Sequence, residues 1–385
     1  MKNKSLLTIS AVLLLIMSCS KEAVKIPKEV NVNFLDLDVS TIHTESQKVI
    51  LESDNPGQYI YDHSAQYGRR SASKPLPINF SWEEENDLNQ KATNYKLLIS
   101  ESEDLSNPLT YVTKENSIDV YNLKINTNYY YQVQSNHHGK YFSSETKSFD
   151  IEDVSPRNIY VDGVENVRDL GGWYIGESKV YKQGLIYRTA QFNYGQVGNN
   201  TFKSAPTEAG KKALLNELKI KTEIDLRRTE AFDGYDEVVG ITSSPLGDTV
   251  NYVSAPMYYG NTNIFANEDN HQSIKLFFDT LADINNYPIA FHCVRGTDRT
   301  GVLAYVLGAL VGMSKEDLML DYLFSDLANI GNPVFESTIT ADSFYVKGID
   351  NSEGSTLSQK TKNYLINNVG VTETTLNSII DILTE

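Results

Sequence analysis

The stretch Ile289-Ala290-Phe291-His292-Cys293-Val294-Arg295-Gly296-Thr297-Asp298-Arg299-Thr300-Gly301 passes from an apolar run through a polar loop into an almost wholly apolar second run. Ile289 to His292 reads as a buried strand, Cys293 to Arg299 as a tight loop, and Thr300 to Val311 as a helix. A loop of this length can curl until its successive N–H groups point inward. They then form a concavity for an anion, and the N-terminus of the following helix reinforces it. Gly296 permits close backbone approach. Arg299 adds a planar fork that grips two phosphate oxygens at once, which a lysine cannot do. The same inward dipoles favour the thiolate form of Cys293, so nucleophile and anionic target meet in one cradle. The separation of Gly296 and Gly301 also suits a nucleotide-binding P-loop, but Val302-Leu303 stands where that motif needs Lys-Ser/Thr.

Around this junction, strands alternate with helices. Helices are predicted over 207–218, 271–284, 300–311 and 315–327. Ile274, Phe277, Phe278 and Leu281 share one face of the second, and Ser314 and Asp317 start the last with a capping pattern. Strands are predicted over 221–226, 250–255 and 289–292. Interleaving of this kind implies an α/β domain over 156–385, a central sheet flanked by helices. Upstream, from 26 to 150, short alternating runs follow one another without helical period: 78–82, 95–100, 110–113, 117–121, 129–135 and 141–149. Asn107-Pro108 and His138-Gly139 punctuate them, and the pattern predicts an all-β sandwich. Within it, Glu83-Glu84-Glu85-Asn86-Asp87 reads as a solvated loop rather than a calcium site, and His137-His138 as a surface turn.

The pattern His292-Cys293-x-x-Gly296-x-x-Arg299-Thr300-Gly301 resembles that of the cysteine-dependent tyrosine phosphatase superfamily, with its Cys-x5-Arg core. Asn166-Val167-Arg168-Asp169-Leu170-Gly171-Gly172, Gly184-Leu185-Ile186-Tyr187-Arg188-Thr189, Ile224-Asp225-Leu226-Arg227, Asp298 and Asp321-Tyr322-Leu323 recur in the same order in one bacterial group. These are the secreted tyrosine and lipid phosphatases with an H-C-x-x-G-K-D-R-T-G loop. Thr297 replaces that group's lysine, which is associated there with phosphoinositide activity, while Arg295 adds a positive charge two residues earlier. The resemblance implies hydrolysis of phosphomonoesters, phosphotyrosine in proteins first among them, through a phosphocysteine on Cys293. Val294, Arg295, Gly296, Thr297, Asp298 and Arg299 would hold the phosphoryl group, without a cofactor or metal.

Ser254-Ala255-Pro256-Met257-Tyr258-Tyr259-Gly260, where better-known relatives carry the proton-donating acid, has none, and the resemblance implies Asp298 in that role instead. The other reading of Asp298 is a carboxylate that merely holds the loop. His292, Thr300 and Asp169 are expected behind the site, His292 either donating a ring N–H to backbone and fixing the loop around Cys293 or serving only as a core histidine. Arg168, Asp169, Asp225 and Arg227 also read as buried ion pairs bracing the sheet. Gly195, Gly198, Asn199 and Asn200 mark a loop that is either a lid or ordinary surface. Two other functions stay open: hydrolysis of phosphoinositides or inositol phosphates, and a non-catalytic surface lipoprotein that binds phospho-ligands.

Leu123 to Val133, with Tyr129 at a corner and Trp82 in the core position, resembles fibronectin type III domains. That implies a spacer or a platform for a protein or glycan partner. At the N-terminus, Lys2 and Lys4 precede an apolar run from Leu6 to Met17, too short to span a bilayer, and Leu15-Ile16-Met17-Ser18-Cys19 resembles a bacterial lipobox. Residues 1–19 are thus expected to be a lipoprotein signal peptide, with Cys19 lipidated and the protein anchored to an extracytoplasmic membrane face. Such lipidation leaves no place for a disulfide between Cys19 and Cys293, the two cysteines of the 385 residues. With 34 basic and 50 acidic residues the net charge is −16, which argues against nucleic acid as a partner. At 40% apolar and 22% charged residues the composition is globular.

Overall fold

In a computed structural model, residues 24–35, 37, 41–62, 72–193, 204–229, 241–258, 264–265, 267–328 and 347–385 are described. The expected signal peptide with Cys19 and the Gly195–Asn200 loop lie outside them. The β-rich N-terminal part holds β1 (Val30–Phe34), α1 (Glu45–Leu51), α2 (Pro56–Asp62), β2 (Ile78–Asn86), β3 (Asn94–Ser100), β4 (Leu109–Thr113), β5 (Ser117–Val120), β6 (Thr127–His137), β7 (Lys140–Ser143) and β8 (Lys147–Ile151). One antiparallel sheet runs β1-β2-β5 and the other β4-β3-β6-β7, with β8 also on β6. Ile78, Phe80 and Trp82 alternate inward from the first sheet and meet Leu97, Tyr131 and Val133 from the second. Edge-to-face pairs such as Phe80–Tyr131, 5.1 Å between centroids, fill the space between the sheets. The Tyr129 hydroxyl accepts a hydrogen bond from Lys124 N at 2.9 Å and ties down the corner before β6.

Four expectations for this part are corrected. The strand predicted over 141–149 is two strands, because the Ser144 hydroxyl accepts from Val133 N and replaces the ladder there. The acidic run from Glu83 is not a loop but the end of β2, paired in register with β1, and Glu84 points inward. His137 is buried, not on a surface turn, and its Nε2 lies 2.8 Å from Glu84 Oε1. Helices α1 and α2 interrupt what was expected to be all β; a full capping box between Thr44 and Gln47 starts the first.

The C-terminal part contains β9 (Arg168–Asp169), β10 (Tyr174–Ile175), β11 (Lys179–Val180), β12 (Ile186–Thr189), α3 (Glu208–Lys212), β13 (Thr222–Asp225), β14 (Asn251–Ser254), α4 (His271–Leu281), β15 (Ile289–His292), α5 (Asp298–Val311), α6 (Lys315–Leu323), α7 (Ser325–Ala328), α8 (Lys347–Asp350), α9 (Leu357–Tyr364) and α10 (Glu373–Leu383). The sheet order is β14-β13-β15-β12-β9, parallel except for β9. β15 is therefore central. Its Ile289 and Phe291 enter the cluster under α4, α5, α9 and α10, while Ala290 joins the cluster on the opposite face with Leu214 and Leu218. That double cover is what the continuous apolar run in β15 requires. The helix predicted over 315–327 breaks at Phe324 into α6 and α7, whose Leu323, Phe324 and Leu327 pack against Ile50 and Ile60 of α1 and α2. Arg157 further joins the two parts, donating to the carbonyls of Asn122 and Leu123 and to Asp169.

Candidate active site

Cys293 leaves the C-terminal end of the central strand, where ligands of open parallel sheets gather. It is a buried free thiol. The loop that follows is shaped by where its carbonyl groups go. Val294 O accepts from Gln191 N at 3.1 Å, Arg295 O from Asn166 Nδ2 at 3.0 Å, and Gly296 O from Arg188 Nη2 at 2.8 Å. In a planar trans peptide the C=O and the next N–H point in opposite directions. Three carbonyls drawn outward thus turn the N–H groups of Arg295, Gly296 and Thr297 to the inner side. Gly296 has φ +72°, and a Cβ there would lie 2.4 Å from Thr189 O, so only glycine fits.

Helix α5 begins at Asp298, directly after this curl, and Thr297 is its N-cap residue. Arg299 is buried, and its Nη1 donates to the carbonyls of Leu226 and Met257, each at 3.3 Å. Those bonds fix the guanidinium between the ends of β13 and β14. The Asp298 carboxyl is held above the usual carboxylate range because burial outweighs the nearby Arg299 and Arg295 charges and its own backbone N–H. Arg295 is half-buried beside it. The Thr300 hydroxyl is fully buried and has no hydrogen-bond partner among the described residues.

Behind the loop, His292 is sealed from solvent. Its Nε2 lies 2.9 Å from Glu223 Oε1 and its Nδ1 3.2 Å from Cys293 O. Both ring nitrogens thus face oxygen atoms, one on the strand's acid and one on the loop backbone. The other oxygen of Glu223 accepts from the Ser244 hydroxyl. Asp225, two residues along β13, is gripped by Arg227 and by the Tyr252 hydroxyl at 3.0 Å. Burial opposes its charge, but His292 and Arg227 outweigh that and hold its carboxyl at about 2. Glu223, Asp225 and His292 lie close enough to suggest a metal cluster. Their oxygens are already occupied by Ser244, Arg227 and Tyr252, and a cation would sit against a guanidinium.

Of the residues expected in the site, Cys293 to Thr300 and His292 come together around one loop. Asp169 does not join them: its bonds go to Arg157, Gly171 N and Gly184 N at the sheet edge, away from the loop. Ser254 to Tyr258 supplies the Met257 carbonyl to Arg299; Tyr259 and Gly260 lie outside the described residues. Sequence reasoning missed Glu223, Gln191, and the contacts of Asn166 and Arg188 with the loop. For Glu223 a signal existed, since an acid two residues before Asp225 in a short apolar strand must share its face and find a partner.

Among solved structures, the chain is similar to the core catalytic domain of the PP-IP phosphatase SIW14 from S. cerevisiae, at 19% identity over 48% of this chain and 90% of that chain, TM-score 0.29. It is similar to P. aeruginosa TpbA at 19% identity over 39% of this chain and 78% of that one, TM-score 0.24. A fibronectin type III domain from human KIAA0970 protein matches at 21% identity over 21% of this chain and 67% of that chain, TM-score 0.19. No curated protein matches the chain. The model of the tyrosine phosphatase family matches residues 159–385, more than half of the sequence and all of the region that builds the cysteine loop, and the chain therefore belongs to the tyrosine phosphatase family.

Proposed function

We propose that the chain hydrolyses phosphomonoesters, phosphotyrosine in proteins first, with Cys293 as nucleophile. The Cys293 thiolate attacks phosphorus; an S–P bond forms as the ester P–O bond breaks, and Asp298 gives its proton to the leaving oxygen. Water then attacks the phosphocysteine, Asp298 takes a proton from it, the S–P bond breaks, and phosphate and thiolate are released. The amides of Arg295, Gly296 and Thr297 with the Arg299 guanidinium hold the equatorial oxygens throughout. The observation that carries this reading is the outward capture of three successive loop carbonyls beside a buried thiol. Amides and a guanidinium carry the charge, so turnover of p-nitrophenyl phosphate in excess EDTA is the expected result. Binding of a phosphopeptide with no turnover by the wild type between about pH 4 and 8, the range in which such acids titrate, would select the non-catalytic reading instead.

Phosphoinositides or inositol phosphates are the second substrate reading. Half-buried Arg295, at the loop beside Asp298, favours it, since it could meet a second anionic group. Rates on phosphotyrosine peptide, phosphoserine peptide and a phosphoinositide separate the two. The same proposal divides the chain into a signal over 1–19, a fibronectin type III-like sandwich over 26–150 and a catalytic domain over 156–385. Lipid at Cys19 would hold the enzyme at an extracytoplasmic membrane face, the sandwich acting as spacer or as platform for a protein or glycan. The mature mass and the N-terminal acyl group, read by mass spectrometry, test this part.

A further inference from the structure

Behind the cysteine loop lies a polar network none of whose side chains takes part in the bond changes of the proposed reaction. Arg168 and Arg188 are both fully buried, and both close on one carboxylate: Arg168 Nε donates to Asp321 Oδ1 at 3.0 Å and Arg188 Nη1 to Asp321 Oδ2. Both also donate to the Ser325 hydroxyl, each at 3.0 Å. Each arginine then reaches the loop by a separate route. Arg188 Nη2 donates directly to Gly296 O, and Arg168 Nη1 donates to Asn166 Oδ1, whose Nδ2 donates to Arg295 O. Asn166 has φ +55°, a conformation that asparagine tolerates better than most residues. The circuit runs from one loop carbonyl to the next through five side chains, and it leans on no group that touches substrate.

Two guanidiniums that share the Asp321 carboxylate, with Asp326 also near Arg168, are costly to bury, and Arg188 Nε has no hydrogen-bond partner among the described residues. Burial and the neighbouring Arg188 press the Arg168 guanidinium down to about 10 against the pull of Asp321. A structural pin for β9 and β12 would need one such pair. The second fork and the asparagine extension add specific control of two consecutive peptide planes, those whose amides are Gly296 N–H and Thr297 N–H. Each loop carbonyl is a single acceptor in a fixed direction, and a flexible ammonium could not hold Asp321, Ser325 and Gly296 O together.

We infer that Arg168, Arg188, Asn166, Asp321 and Ser325 form a clamp of positioning residues that aims the amides of Gly296 and Thr297 at the phosphoryl oxygens. The clamp rests on the proposed phosphatase reading and deepens it. The test compares the full-length wild type with Arg188→Lys, Asp321→Asn and Ser325→Ala. It follows p-nitrophenyl phosphate turnover, the Kd of inorganic phosphate by calorimetry, thermal unfolding, and the amide proton shifts of Gly296 and Thr297 on adding phosphate. In Arg188→Lys, kcat falls by about 10²-fold, as for small misplacements of reacting groups, and the phosphate Kd rises about tenfold as two charge-assisted bonds weaken. The downfield shift of both amide protons on phosphate addition, clear in the wild type, shrinks in the variant. Ser325→Ala, the mildest change, moves the same readouts in the same direction and serves if the other two fail to fold. Folded variants with lowered melting temperature but wild-type Kd and amide shifts would overturn the clamp and leave the network a structural pin. A wild type that binds phosphate without turnover refutes the hydrolase reading and leaves the clamp to be judged on affinity and shifts. A wild type that does neither refutes both.

Discussion

Two of the buried histidines, His137 in the N-terminal part and His292 in the C-terminal part, are held by the same side-chain types. In the sandwich, His137 Nε2 meets Glu84 Oε1 at 2.8 Å, and the Ser135 hydroxyl donates to the other Glu84 oxygen. In the catalytic part, His292 Nε2 meets Glu223 Oε1 at 2.9 Å, and the Ser244 hydroxyl donates to the other Glu223 oxygen. The difference is at the second ring nitrogen. His137 Nδ1 has no hydrogen-bond partner among the described residues, whereas His292 Nδ1 reaches Cys293 O. The first cluster reaches no further hydrogen-bond partner among the described residues and joins β2 to β6. The second ends at the backbone of Cys293, the proposed nucleophile. Identical side chains thus differ in what their last atom touches.

The largest difference between the two parts is expected at Cys293, the proposed nucleophile. Cys293→Ser is expected to abolish p-nitrophenyl phosphate turnover, while Ser135→Ala in the sandwich leaves kcat as in the wild type. Next comes the proton donor. Asp298→Asn should lower kcat by about 10²- to 10⁴-fold on a phosphoserine peptide, whose poor leaving group needs the proton. Asp298 must be protonated to act as acid and its carboxyl is held high, so the wild-type rate falls as pH rises through that raised value. The pH–rate profile of the variant lacks this limb; a limb that persists assigns the proton to another group.

Glu223→Gln and Glu84→Gln set the clusters directly against each other. Each should cost about 1–3 kcal/mol of stability by urea denaturation, as for a buried hydrogen bond to a charged group. Only Glu223→Gln should also reduce kcat, by about tenfold as the loop behind Cys293 loosens. An equal loss of activity in both would erase the distinction. The smallest effect concerns acid. The Asp225 carboxyl is depressed to about 2, so its stabilisation is fully present above the unfolded carboxylate range and is lost as pH falls from about 4 toward 2. Asp225→Asn should flatten that part of the curve of unfolding free energy against pH.

The parts of this molecule legible in the sequence are those where one short segment carries its own instruction. β15 appears over Ile289–His292 as read, and Ser314 caps α6 as its capping pattern implied. The loop read over 293–299 curls over 293–297 and passes into α5 at Asp298, and the curl follows from its glycine and its strand–helix setting. What escaped depends on distant chain. The burial of Glu84 needs β1, 52 residues upstream at the paired Val32, and His137, 53 residues downstream. A run of three glutamates alone looks solvated. Asp169 looked like a neighbour of the site because Arg168 beside it truly is one; on a strand, adjacent residues face opposite ways, and the two side chains part company. Helices α8 to α10 went unread, since moderately polar sequence such as Leu357–Tyr364 becomes a buried face only once α5 is there to cover it.

The outward capture of three carbonyls has a kinetic corollary. Gln191, Asn166 and Arg188 hold those oxygens through bonds internal to the chain, so the seat for an oxyanion is built by the protein itself. Capture of tungstate should then be a one-step encounter in stopped flow, its observed rate climbing in proportion to concentration without levelling off.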